Sequence, residues 1–202
     1  MTKHFVLSVT LALGVVGAVD AGAQAQTPPD LLRFDLRRST AVTAAGCLPN
    51  AIAKVTVKTL GEFEIMSVRA VGLPPNTGFD LFVIQFPNAP FGMSWYQGDM
   101  ESDSVGRAEG TFIGRFNIET FIVAPGTGAA PVIHPTDAAA NPQTAPVHTF
   151  HIGLWFNSPA EALAAGCPNT VTPFNGDHHA GIQALATNQY GNLNGPLRQL
   201  KP

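Results

Sequence analysis

The stretch Ala53-Lys54-Val55-Thr56-Val57-Lys58-Thr59-Leu60 decides the fold class. Its small and β-branched residues, Ala53, Val55 and Val57, alternate with Lys54, Thr56 and Lys58. A period of two puts the first set on one face and the second on the other, as in a half-exposed β-strand. Gly61 breaks the pattern, and a second strand is expected from Phe63 to Val71. Gly72-Leu73-Pro74-Pro75-Asn76-Thr77-Gly78 then reads as a turn, because its residues fix φ or tolerate positive φ. Phe79 to Phe86 is apolar on both faces apart from Asp80 and Gln85, which predicts a central strand.

Working outward, Leu31 to Leu36 reads as a first edge strand. Met93 to Asp103 and Arg107 to Phe116 flank a Ser104-Val105-Gly106 turn and read as a hairpin. Ile118 to Val123 is a short strand, Val147 to Asn157 a strong one, and Ala180 to Thr187 the last. Between them, residues 124-146 carry five prolines and no apolar period, so a long surface loop is expected. Ser158-Pro159-Ala160-Glu161 is a capping box with proline in the first helical turn, predicting one short helix over 159-165 that stops at Gly166. The Asn- and Gly-rich tail is expected to lie on the surface.

Gly and Pro number 20 and 17, and only 12% of residues are charged, against the roughly 25% usual for soluble domains. That disfavours coiled coils and charged disordered tails. About eight short strands separated by turn signals predict an all-β chain, an antiparallel sandwich with Greek-key connections, Ig-like or jelly-roll-like. The net charge of −3 argues against nucleic acid or an anionic lipid surface as partner.

The amino terminus reads as an export signal. Lys3 supplies a positive region, Phe5 to Val19 an apolar run, and Ala21-Gly22-Ala23-Gln24-Ala25 the small residues of a cleavage site, with cleavage expected after Ala25. The run is shorter than the roughly 20 residues that span a bilayer. Residues 26-202 would then form a single exported domain, periplasmic or extracellular, with no membrane span. In that setting the two cysteines, Cys47 and Cys167, are expected to form one disulfide. They sit in similar contexts, Ala44-Ala45-Gly46-Cys47 and Ala164-Ala165-Gly166-Cys167.

The segment Val68 to Ile84, a strand, a Gly-Leu-Pro-Pro-Asn-Thr turn and a second strand, resembles repeats of immunoglobulin-like and chordin-domain-like exported bacterial proteins, as does the acidic stretch from Gly98-Asp99 through Gly106 to Phe112. The resemblance implies a sandwich and carries no catalytic residues across.

Chemistry-bearing residues fall into three groups. Asp177-His178-His179, flanked by glycine, is the best metal-ligand cluster for Zn²⁺, with His134 or His151 able to complete it. His148 falls in phase with Phe150, Ile152, Leu154 and Phe156 and reads as a hydrogen-bonded core histidine. Asp99, Glu101 and Asp103 recur at every second residue, so one strand face next to a turn would offer oxygen ligands suited to Ca²⁺. Trp95 and Tyr96 follow a Pro/Gly-rich loop, and only one of them can face inward on a regular strand; the outward ring could stack on a sugar. Trp95 and Trp155 could instead fill the core.

No G-x-S-x-G, H-E-x-x-H, P-loop or dinucleotide fingerprint occurs. The expectation is therefore an exported binding or envelope structural protein without catalysis of its own and with no cofactor. A carbohydrate-binding module with a glycan ligand, a metal-binding protein or metal-dependent enzyme, a protein partner, and a self-assembling surface fibre are the alternatives. The last follows from low charge and abundant strand edges.

Overall fold

The structure, a computed structural model, describes residues 29-119, 147-172 and 179-200. The elements in chain order are β1 (Leu31–Arg38), α1 (Thr40–Ala44), β2 (Ile52–Leu60), β3 (Phe63–Val71), β4 (Gly78–Ile84), β5 (Ser94–Glu101), β6 (Ala108–Gly114), β7 (Ile118–Glu119), β8 (Val147–His148), β9 (His151–Phe156), α2 (Pro159–Ala164) and β10 (Gln183–Ala186), followed by a 3₁₀ turn at Pro196–Gln199. The expected signal segment, the 124-146 loop, and Asp177, His178 and His134 lie outside the described residues.

Eight strands join in one sheet in the order β5-β4-β9-β10-β1-β2-β3-β6, and every pairing is antiparallel. The all-β class is thus what the chain adopts, as a single sheet curled nearly into a barrel. β1 is the corner. Its residues Leu31 to Leu36 pair with β2, while Arg37 and Arg38 pair with Ala186 and Leu185 of β10. The expected edge strand is therefore the hinge joining the two halves of the sheet.

The expected β5–β6 hairpin also changes. Both strands form, but β5 pairs with β4 and β6 with β3, so the two are the outer edges of the sheet, meeting at a seam. Glycine explains the close approach. Gly98 lies under the Phe112 ring, where a Cβ would collide, and Gly110 leaves room for both that ring and Met100, whose Cγ is 3.1 Å from where a Cβ would stand. The connection from β3 to β4 crosses the end of this seam. Leu73 N–H donates to Gly106 O at 3.1 Å and Asn76 N–H to Asp103 O at 3.2 Å. Buried Ser102 ties the crossing down: its hydroxyl accepts from Thr77 N–H at 3.0 Å and donates to Pro74 O at 2.5 Å. Spatially β3-β6-β5-β4 is a Greek-key order.

Inward-facing residues follow the alternation read from the sequence: Val55 and Val57 of β2, Met66 and Val68 of β3, and Phe79, Leu81 and Val83 of β4 are buried. Each is worth about 1.5–3 kcal/mol of transfer free energy. β4 and β9 are buried on both faces, as β4's composition predicts. On the outer face Phe82, Ile84, Trp155 and Ala180 make a second apolar cluster against Phe91. The tail is not a surface wrap. Leu197 and Leu200 belong to the main core, and Asn117 Nδ2 donates to Leu200 O at 3.0 Å.

Two helices form where one was expected. Ser39 caps α1 by accepting from Val42 N–H, and Ser158 caps α2 by accepting from Glu161 N–H. Both then end in the same way. Gly46 and Gly166 take φ of 72° and 75°; Gly46 N–H donates to Thr43 O and Gly166 N–H to Leu163 O. The following cysteines donate back to Val42 O and Ala162 O, completing two Schellman motifs. The repeated Ala-Ala-Gly-Cys sequences are therefore two helix stops that deliver Cys47 and Cys167 to a disulfide, with Cα atoms 5.5 Å apart.

Candidate functional site

An apolar cleft of about 820 Å³ lies between α1, the β4–β5 loop, residues 170-172 and the start of β10. The loop has a sequence-built shape. Phe86 N–H donates to Phe91 O, Phe91 N–H donates to Asn88 O, and Met93 N–H donates to the Gln85 side-chain oxygen at 3.1 Å. Gly92 turns it at φ 69°, where a Cβ would run into Gln85 and Phe86. Thr40 on α1 donates to Asn88 Oδ1 at 2.7 Å, so helix and loop share a wall. Phe91 lines the cleft and packs edge-on against Trp155, 5.0 Å between centroids.

The opposite wall is β10. Ser39 fixes that strand, its hydroxyl donating to Gln183 O at 2.5 Å and its N–H to Ala184 O. Ile182 and Gln183 then face the cleft, with Thr170, Val171 and Thr172 completing it. Gln183 is only 5% exposed, and its side-chain nitrogen has no hydrogen-bond partner. A buried donor left unpaired costs about 1–3 kcal/mol. The nitrogen lies against Gly153 and carries no exposed surface toward the cleft. Volumes of about 300–1,000 Å³, apolar walls and few polar groups are typical of small-molecule sites.

Among the described residues, the candidate metal ligands singled out from the sequence do not gather. His151 is fully buried, and both ring nitrogens are engaged, Nε2 donating to Asn192 O at 3.0 Å and Nδ1 lying 2.9 Å from Thr187 Oγ1. Burial pushes its pKa below the usual histidine value, against the pull of those backbone acceptors. Both nitrogens are occupied by the protein's own groups, inside the core. The hydrogen-bonded core histidine is thus His151 rather than His148. His148 is half-buried, stacks on Phe150 at 5.1 Å, and leaves Nδ1 unpartnered. The phase shifts because the expected strand breaks at Thr149 and Phe150, where Thr149 bonds to Asn117 O and Phe116 O. His179 is exposed, beside the Thr172–Ala180 bridge.

Asp99 and Glu101 do share a face, lining a depression of about 370 Å³ with Glu161, Asn76 and Asn157. Asp103 leaves them. Its Oδ1 accepts from Val105 N–H and Arg107 N–H, both at 2.9 Å, and these bonds hold its carboxyl below the usual range. Glu161 is committed too, accepting from Gly78 N–H at 2.9 Å and from Ser158. Among the described residues no three His, Cys, Asp or Glu gather closely enough to hold a metal ion.

Trp95 and Tyr96 are both 48% exposed, an outcome that regular alternation forbids. A bulge at Gln97 sets Gly98 opposite Leu81 and Tyr96 opposite Phe82. Tyr96 therefore packs edge-on against Phe82 at 5.6 Å, and its hydroxyl donates to Asp99 Oδ1 at 2.6 Å. Partial burial and that carboxylate raise the phenol's pKa far above its ordinary value. Trp155 is fully buried, but in the outer cluster rather than the main core.

Sequence reasoning missed α1, Phe91 and Gln183. The available signals were Ser39 ahead of Ala-rich residues that end in Gly46, and a lone glutamine within an apolar strand. No protein-family model matches the chain, and no curated protein matches it in sequence. No helix among the described residues is long and apolar enough to cross a membrane.

Proposed function

We propose that the protein is exported and acts by binding, without catalysis, a small apolar molecule held in the cleft of Phe91, Ile182 and Gln183. The carrying observation is the apolar-walled cleft of about 820 Å³ shared by α1, the β4–β5 loop and β10. Export is supported by the amino-terminal pattern and by the disulfide, a bond that persists in oxidising compartments. Neutral N-phenylnaphthylamine should bind saturably, with enhanced probe fluorescence and a change in Trp155 emission transmitted through Phe91. Filling the cleft from its exposed α1 side with Ala41→Trp should abolish uptake while the melting temperature holds. Unsaturable uptake, or uptake unchanged in A41W, would overturn the reading.

A second reading is a glycan platform at Trp95 and Tyr96, favoured by the exposure of both rings on one edge strand. It requires that soluble glycans perturb Trp95 emission and that Trp95→Ala lose the response.

A further inference from the structure

The net charge of −3 conceals an uneven distribution. The outer face of β1, β2 and β3 carries a groove of about 810 Å³ lined by Arg33, Arg37, Lys54 and Arg69, with Asp35 as its one carboxylate. The register sets these charges. Asp35, Lys54, Arg69 and Glu109 form one row across four strands, and Arg33, Thr56 and Ser67 begin the next. Lys54 therefore stands directly opposite Arg69, with Cβ atoms about 5 Å apart, a like-charge pairing that destabilises a sheet. Arg69 is drawn outward to Glu109 at 3.4 Å. Among the described residues Arg33, Arg37 and Lys54 are in no ion pair. The loop residues Gln189 and Tyr190 form the side wall, fixed by Gln189 Nε2 donating to Asp35 O at 2.7 Å. The groove runs on past Arg37 into a shallower depression that includes Arg38.

We propose that this groove binds an anionic oligosaccharide through its carboxylate or sulfate groups. Arg33 and Arg37 lie four residues apart on one strand, about 13 Å, which exceeds a single small anion and fits several charged groups along a chain. The floor and wall between the cations present Thr56, Ser67, Gln189 and Tyr190, hydrogen-bonding groups matched to sugar hydroxyls, with one ring for a sugar face. A nucleic-acid strand would want successive aromatic platforms, and Tyr190 is the sole aromatic side chain standing in the groove wall, Phe34 being buried beneath it. A flat lipid surface does not enter a concave groove. An anion between Lys54 and Arg69 would relieve their repulsion, so binding and stability should rise together. The apolar cleft plays no part in this site, and either can fail alone.

Calorimetric titration of the oxidised protein at low salt with tetragalacturonate, its sulfated analogue and neutral maltotetraose tests the proposal. One of the two anionic chains should bind saturably and raise the melting temperature, and maltotetraose should do neither. Arg33→Gln and Lys54→Gln should each weaken binding about tenfold or more. Lys58→Gln, exposed on the same strand but outside the groove, should leave it unchanged, and rising salt should weaken binding with a linear log-log slope. The proposal fails if neither anionic chain saturates, or if K58Q weakens binding as much as K54Q. It also fails if a single-stranded oligonucleotide or phosphatidylglycerol vesicles bind as tightly as the saccharide.

Discussion

Glycines with the same sign of φ do different work here, and substitution separates them. Gly166 has open space around its Cβ position, so Gly166→Ala meets only the left-handed backbone cost, about 1–2 kcal/mol. Gly106 has a similar φ of 75°, but a Cβ there would run into the Leu73 carbonyl of the crossing connection. Gly106→Ala should therefore destabilise well beyond Gly166→Ala, which urea unfolding of the two variants checks. His151 makes a pH prediction at the same scale. Its folded pKa lies below the unfolded 6.5, so as pH falls the unfolded chain takes up a proton before the folded one does. Stability is thus whole above about pH 6.5 and is lost as pH drops below it, by up to about 1.4 kcal/mol per unit until the folded histidine also titrates. Unfolding free energies at about pH 7.5 and about pH 5.5 should differ less in His151→Gln than in the parent. Equal slopes would remove His151 as the origin. Neither role was legible from composition, since both depend on what the tertiary fold brings against the residue.

The elements were legible wherever period and punctuation agreed. β2, β3 and β4 lie where alternation and Gly-Pro turns put them, and α2 starts at its capping box. Partners were not legible, because a turn of Ser104-Val105-Gly106 says that two strands reverse and nothing about which neighbours take their hydrogen bonds. The crossing of residues 72-77 over the β5–β6 seam, held by Ser102, decides that. Ser102→Ala should cost about 1–3 kcal/mol, because Thr77 N–H and Pro74 O lose their side-chain partner in a buried place. The disulfide was read correctly from two cysteines, whereas the helices that present them were half missed: five-residue α1 is too short for an apolar period to register. Replacing both cysteines by serine opens a separation of 120 residues, which loop entropy values at up to about 5 kcal/mol. A fall in urea midpoint with a steeper slope would place that loss in an unfolded chain freed to expand. The candidate cleft was least legible of all. Its walls come from a helix, a loop and a strand remote in sequence, and Gln183 gives no periodic signal. The basic groove was hidden by net charge, which averages over faces.

At the scale of the molecule, one sheet curled on itself leaves, among the described residues, a seam where β5 and β6 face each other without a ladder between them. Every other strand of the eight has hydrogen-bonded neighbours on both sides. The seam is closed at one end by Ser102 and the crossing connection, and in its middle by Phe112 over Gly98 and Met100 beside Gly110. Toward the other end β5 carries exposed Trp95 and Tyr96, and β6 carries Ile113 at 70% exposure. Opening should therefore start at the Trp95 end and run toward the turn. Amide hydrogen exchange reads this directly, since it ranks segments by the free energy of local opening. Amides of β9 and β10, buried on both faces and flanked by strands, should exchange only with global unfolding. Outward amides of residues 94-97 should exchange fastest, followed by those of β6, with Ser102 and Thr77 protected. Uniform protection across β5 and β6 would mean that the seam is a closed ladder in solution. Slow exchange that appears only at high protein concentration would mean that a second copy adds its edge there, a route by which this sheet could grow into a fibre.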